Sequence, residues 1–347
     1  MDRPELLKIG EQIDQMITLD IAARGVIKIL YPYAREKAGK PLALAAAQLL
    51  SERVGPGDAV FIATGWPDRP HITPEIAETD GPPGAAALAL ALHKGLRAVP
   101  IIFIEDNLVG AMAKVMEGAG LRVLSPEEAL AAAGSHAPIH AAAVLALPTD
   151  VKEAKRYAEE VCAKYRPSGV VVIEKGGMND KGYIHTSRGA ETTEHMAKAD
   201  MLVETAAARG IASIGIGDGG NEVGMGVIRE AIEEHIPYGK QCLCGCGGGI
   251  APSRVTDVLV TASISNWGAY GVAAALAAVL KEPEVMHDQD LEERILWRCA
   301  DARFIDGITG YVAPSADGLP APVHRAFVRM LRELVVQWLK AETKKKA

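Results

Sequence analysis

The stretch from Ile211 to Gly226 (IASIGIGDGGNEVGMG) constrains this chain more than any other. It opens on an apolar, β-branched run, Ile211 to Ile216, that reads as a buried strand. Gly215, Gly217, Gly219, Gly220, Gly224 and Gly226 crowd its end, with Asp218, Asn221 and Glu222 among them. Helical spacing follows from Val227 to His235, so the segment predicts strand, glycine turn and helix start. In an open α/β sheet that order marks a ligand crevice at the carboxyl end of a parallel strand.

Residue types narrow what could bind there. Gly215-x-Gly217-x-x-Gly220 fits the dinucleotide template G-x-G-x-x-G, a weak signal when it stands alone. Asp218 and Glu222, however, sit where a pyrophosphate needs bare amides. Paired carboxylates repel a phosphate and attract an ammonium group or a divalent cation. No Lys-Ser or Lys-Thr pair follows the glycines, so the P-loop reading fails and no nucleotide is expected. Helix capping is the plainer alternative: Asn221 suits an N-cap, and acids suit the positive end of a helix. Capping explains one acid, but not two acids, an amide and so dense a set of glycines.

The rest of the chain alternates in the same way. Strands are expected over 58–64, 99–104, 121–124, 141–145, 170–173, 211–216 and 258–262. Helices are expected over 85–95, 108–118, 126–133, 151–164, 191–209, 222–235, 268–281, 291–298 and 322–341. Before the first strand, helical patterns cover 4–20, 25–33 (ending near Tyr31-Pro32) and 41–53. This predicts a doubly wound, mostly parallel α/β sheet with helices on both faces, Rossmann-like and three-layered. Residues 1–55 form an N-terminal helical segment packed on it, and with no linker-like shift in composition, 1–347 reads as one domain.

Composition excludes several classes. The chain has 347 residues, 49% of them apolar, and a net charge of −7, so it can build a large core but offers no basic surface to nucleic acid. The one basic run, Lys344-Lys345-Lys346, reads as a solvated tail. A charged N-terminus argues against a secretory signal, and the longest apolar stretches, near 84–92 and 137–147, are too short to span a bilayer. A cytoplasmic location is expected, with a homo-oligomer left open. Cys162, Cys242, Cys244, Cys246 and Cys299 do not read as a disulfide framework. Cys242-x-Cys244-x-Cys246 offers three thiolates where zinc usually takes four ligands, so free or redox-labile thiols are the expectation.

If the sheet is parallel, the loops leaving its carboxyl edge share one rim, and four of them are unusual. The first carries Glu78, Asp80 and Gly81 before Pro82-Pro83; a capped surface turn is its plain alternative. The second runs from Glu174 past Asn179 and His185 to Arg188, whose guanidinium suits a bidentate grip on a carboxylate. His185 could carry a proton, although a lone histidine in a polar loop is more often exposed. The third is the glycine turn. The fourth, Ser265-Asn266-Trp267-Gly268-Ala269-Tyr270, pairs hydrogen-bonding side chains with aromatic rings that core packing would also explain. Acids dominate this rim, no nucleophilic triad is visible, and the pattern suits a small zwitterion or a carboxylate bound through a metal.

Taken together, Glu78-Thr-Asp-Gly-Pro-Pro-Gly-Ala85, Ile173-Glu-Lys-Gly-Gly-Met-Asn179 with Arg188-Gly189, the 215–226 turn and Ser265-Asn-Trp-Gly-Ala-Tyr-Gly271 occur in an order that resembles the D-glutamate cyclase family, in its C-terminal, catalytic-type domain. The likeness runs from about Thr64 to Tyr270. It implies a hydro-lyase that converts D-glutamate to 5-oxo-D-proline. On that expectation Asp218, Glu222 and Asp80 are catalytic, with Asp218 or Glu222 holding and deprotonating the amine. Glu78, Gly81, Glu174, Asn179, Arg188, Gly217, Gly219, Asn221, Ser265, Asn266 and Trp267 bind substrate. A divalent cation, Mn2+ or Mg2+, could bridge Glu78, Asp80 and Asp218. An amino-acid or metal sensor without catalysis, and a nucleotide-dependent enzyme, are the alternatives.

Overall fold

The computed structural model describes residues 4–136 and 139–344. The chain begins with α1 (Pro4–Ile17), α2 (Ile27–Ala38) and α3 (Leu42–Arg53), then enters β1 (Ala59–Thr64). There follow α4 (Pro82–Leu96), β2 (Val99–Ile104), α5 (Val109–Gly118), β3 (Arg122–Val123), α6 (Pro126–Ala133) and β4 (Ala141–Ala146). After α7 (Val151–Tyr165) come β5 (Gly169–Ile173), α8 (Ala199–Arg209), β6 (Ala212–Gly217), α9 (Arg229–His235) and β7 (Val258–Thr261). The chain closes with α10 (Ser265–Leu280), α11 (Gln289–Asp301), a small hairpin β8 (Ser315–Ala316) and β9 (Leu319–Pro320), and α12 (Ala321–Lys344).

Among the described residues, β1 to β7 form one seven-stranded sheet in the order β3-β4-β2-β1-β5-β6-β7, with every pairing parallel. Each central strand is apolar on both faces because both are covered. Along β1, Val60 and Ile62 join one core cluster, while Ala59, Phe61 and Ala63 join the other. The first cluster takes in α1, α3, α4 and α10; the second takes in α7 and α8. The expected doubly wound architecture is therefore what forms. Helix α10, apolar on all sides, lies buried against α1, α3, α4 and α12. Among the described residues no helix is long and apolar enough to cross a membrane.

Strand order decides where a ligand can sit. The chain builds outward from β1 through β2, then returns to β1's other side with β5, so the winding reverses between β1 and β5. A crevice opens outside the carboxyl ends of strands at such a reversal. Thr64, Ile173 and Gly217, which end β1, β5 and β6, all lie on that edge.

Several boundaries differ from expectation. The helix expected from Glu222 begins only at Arg229: Gly224 adopts a left-handed φ of +103°, and the backbone at Gly224 and Met225 bridges to Val255. Asn221 is therefore not an N-cap. Helix α8 starts at Ala199 rather than Glu191, because the Lys198 ammonium folds the preceding turn onto itself by donating to the Thr193 and Met196 carbonyls. Pro32 does not end α2; it and Lys28, whose carbonyl loses its helical partner, are exposed, so water can satisfy that carbonyl. Lys344 closes α12, while Lys345, Lys346 and Ala137 lie outside the described residues.

Candidate functional site

Asp80 is the hinge between β1's loop and α10. Its carboxylate accepts from the amides of Ser265 (3.0 Å) and Asn266 (2.9 Å), the first residues of α10, and of Gly81 (3.1 Å). A carboxylate at a helix N-terminus satisfies orphan amides and sits at the positive end of the dipole. Asn266 returns the tie: its Oδ1 accepts from Gly81 (3.0 Å) and Gly84 (2.7 Å), and its Nδ2 donates to the Thr79 carbonyl. Gly81 holds φ +100°, and a Cβ there would stand 2.7 Å from Thr64 Oγ1, so no other residue fits. Ser265 Oγ donates to Glu174 Oε2 at 2.5 Å, which ties the β7 loop to the end of β5.

The glycine turn is folded around its own acid. Glu222 Oε1 accepts from the amides of Asp218 (2.7 Å) and Gly219 (2.6 Å), and Oε2 from those of Gly220 and Asn221 (both 2.8 Å). These four amides are the ones a phosphate would need from G-x-G-x-x-G, and a side-chain carboxylate already fills them. Glu222 is 1% exposed and holds the loop that presents Asp218. Asn221 Nδ2 donates to the His185 carbonyl (2.8 Å), joining this loop to the one after β5.

Two residues the sequence patterns left out complete the site. Arg24, from the loop between α1 and α2, donates from Nη1 to Asp218 (2.8 Å) and to Asp317 (2.5 Å). Asp317 occupies the turn of the β8–β9 hairpin, where it and Gly318 both have positive φ. An Asp-Gly pair between two-residue strands signals only a turn, and nothing around Arg24 signals a ligand. Asp80, Asp218 and Asp317 place carboxylate oxygens within 4.8 Å of one another, as do Glu174, Asp218 and Glu222. Asp317 thus stands where Glu78 was expected in the cation-binding set.

So many buried carboxyls cannot all ionise cheaply. Burial, then the charge of Asp218, pushes Asp80 up to about 8 and Glu174 well above the ordinary carboxyl range. Burial and Asp317 do the same to Glu78, and burial and Asp218 to Asp317. Glu222 is raised by burial and Asp218 against the pull of its amides. Asp218, in turn, holds Arg24 firmly protonated. Glu174 also carries backbone strain, with φ +43° at a non-glycine residue beside the winding reversal.

These groups face a cavity of about 400 Å³. Its lining includes Glu78, Glu174, Asp218, Gly219, Asn221, Arg24 and Asp317, together with Asp68, Arg69, His71 and Arg188, of which Arg69 is paired with Asp68. Asp80, Gly81, Gly217, Glu222, Ser265 and Asn266 form the supporting layer. Asn179 and Trp267 lie elsewhere. Asn179 ties its own turn to the Gly249 carbonyl, and Trp267 stacks on Phe327 at 4.0 Å while donating to His324. Lys175, next to Glu174, turns away to a buried pair with Glu105.

The sequence profile of the family described as "D-glutamate cyclase-like, C-terminal" matches residues 13–332. The chain is also 26% identical over 351 aligned residues to the Homo sapiens protein "D-glutamate cyclase, mitochondrial". That alignment covers 93% of this chain and 51% of the relative, so the chain spans about half the length of the curated relative it matches.

Proposed function

The chain belongs to the D-glutamate cyclase-like family, and from that premise we propose that it is a hydro-lyase closing D-glutamate to 5-oxo-D-proline. The observation that carries this reading is the charge gathered in one cavity: Glu78, Glu174, Asp218 and Asp317 share its lining with Arg24, Arg69 and Arg188. Glutamate is its complement, an ammonium between two carboxylates.

The ammonium lies against Asp218 and Glu174, and Arg188 grips a carboxylate. Ring closure forms the bond from nitrogen to the γ-carbonyl carbon and breaks one carbon–oxygen bond of the γ-carboxylate. Two protons leave nitrogen and reach the departing oxygen, which leaves as water, so no net proton is consumed. Glu174, kept protonated by its burial and anchored by Ser265, gives its proton to that oxygen, while Asp218 takes one from the ammonium; the second nitrogen proton restores Glu174 and the one on Asp218 completes the water. Because amine and carboxyl belong to one molecule, orientation supplies much of the rate. Asp80, Asp218 and Asp317 form a hard, all-oxygen donor set of the kind Mn2+ or Mg2+ takes, on which such a cation would displace the Arg24 guanidinium that bridges Asp218 and Asp317. It would also neutralise these acids and polarise the γ-carboxylate.

The test is direct. Full-length protein is incubated with each glutamate enantiomer, with and without Mn2+ or Mg2+, and the lactam is resolved by chiral chromatography. D-glutamate-dependent lactam that disappears in Asp218→Asn supports the assignment. Tight D-glutamate binding without lactam under any condition makes the protein a sensor instead.

A further inference from the structure

We propose that His185, Cys242, Cys244 and Cys246 form a zinc site that clamps the rim of the cavity. The inference is independent of the reaction above. The imidazole and the three thiols place one donor atom each within 4.8 Å of every other. Cys242 Sγ lies 3.4 Å from Cys244 Sγ and 3.3 Å from Cys246 Sγ; His185 Nε2 lies 3.2 Å from Cys244 Sγ and 3.7 Å from Cys246 Sγ. A tetrahedral zinc, with bonds of about 2.3 Å to sulfur and about 2.0 Å to nitrogen, needs donors about 3.5–3.8 Å apart. Four of the six donor–donor distances thus lie at 3.2–3.7 Å, about the spacing a tetrahedral zinc needs, and the other two lie within 4.8 Å. A disulfide would pair two sulfurs and strand the third, whereas here all three cysteines are free thiols converging on one point.

The sequence showed three ligands on one short loop; folding adds the fourth from 59 residues before Cys244. His185 is 1% exposed, not the surface histidine expected of a polar loop. The backbone is shaped for the purpose. Gly245 and Gly247 alternate with the cysteines at φ +77° and +79°, which turns the sulfurs to one side. The Cys242 amide donates to the Gly248 carbonyl (3.0 Å), closing the loop. Asn179 Nδ2 reaches Cys246 Sγ at 3.6 Å, an N–H···S contact of the kind that steadies a thiolate ligand, and a Cβ on Gly248 would sit 2.7 Å from that nitrogen. This gives Asn179 a role outside the cavity.

Three thiolates and an imidazole select zinc over the hard cations suited to the acidic triad. Four protein ligands leave no open position, so the site is structural. Binding releases the thiol protons to solvent and leaves a Zn(Cys)3(His) unit of net charge −1. Its position explains its use: Thr186, Ser187 and Arg188, immediately after His185, line the cavity, and Leu243 donates to the Gly189 carbonyl across the two loops (3.0 Å). Zinc would fix the turn that carries Arg188.

Full-length protein purified under reducing conditions is assayed for metal by mass spectrometry. The expected result is about one zinc per chain, retained in Asp80→Asn and Asp218→Asn. In Cys244→Ser and His185→Ala, affinity for zinc falls by about 100-fold, measured by competition with a chromophoric chelator. Replacement by Co2+ should give the visible spectrum of a tetrahedral thiolate complex, lost in Cys246→Ser. Should those variants fail to fold, hydrogen exchange on wild-type protein after chelation decides: protection falls over 183–191 and 239–250, not over the sheet. Reduced wild-type protein that carries no zinc and takes none up, or a Cys244→Ser/His185→Ala double variant that keeps it, overturns the proposal.

Discussion

Two glycine-rich loops differ in what fills them. In the 217–226 turn the chain supplies its own filler: the Glu222 carboxylate saturates four amides, and the loop is buried and closed. In the 239–250 loop three sulfurs converge on the imidazole that His185 brings from the loop after β5, and Cys244 is exposed. Glycine density therefore marks where backbone must bend around something, and the polar groups aimed into the bend determine what that is. Amides call for an anion, which Glu222 provides; thiolates call for a soft cation, which must come from outside.

The comparison breaks most sharply at Asp218, the residue the first loop exists to present. Asp218→Asn is expected to lower lactam formation by about 10³-fold while leaving thermal stability near wild type, as seen by chiral product assay and calorimetry. Unchanged turnover would remove the glycine turn from the mechanism. Next in size is the filler itself. Glu222→Ala leaves four buried amides without an acceptor and should cost about 3–5 kcal/mol in urea unfolding, partly restored by added acetate. Restoration by phosphate at lower concentration than acetate would show a phosphate cradle occupied by the protein's own acid.

The second loop predicts a smaller, differently placed effect. Cys244→Ser should raise KM for the amino acid several-fold with kcat nearly unchanged, because it loosens the turn carrying Arg188 and not the acids. A fall in kcat alone would mean that the two loops are coupled through Asn221 and the His185 carbonyl. Stability should also depend on pH. A carboxyl raised by burial binds its proton more tightly in the folded chain, so its contribution is full below its ordinary value and is lost as pH rises through the folded one. For Asp80 that window runs from 3.8 to about 8. Asp14 and Asp200, pushed up to about 6 by burial, act in the same direction at its acid end. Unfolding free energy should thus fall from pH 6 to 8, by at most about 1.4 kcal/mol per unit for a single site, and Asp80→Asn should flatten that slope. A slope unchanged in that variant would assign it to the other acids.

Much of the frame was legible in the residues. Continuous apolar runs between helical patterns specify a buried parallel sheet, because each such strand has both faces covered, and all seven strands of that sheet lie where those runs fall. The acids at the ends of β1, β5 and β6 could be named for the same reason, since a parallel sheet brings those ends to one edge. Trp267 and Asn179 sit away from the cavity, held by ring stacking and backbone ties that leave no mark on local pattern.

What the sequence by itself determined is therefore the sheet, its winding and the edge on which chemistry gathers, all set by periodicities a few residues long. Only the tertiary structure decided the charge balance and the ligand sets. Arg24 meets Asp218 across 194 residues and Asp317 across 293, and His185 meets Cys244 across 59. Such meetings depend on where long connections return in space. Electrostatic and coordination energies act across angstroms of space and are blind to separation along the chain, so the residues that complete each site carry no local signature.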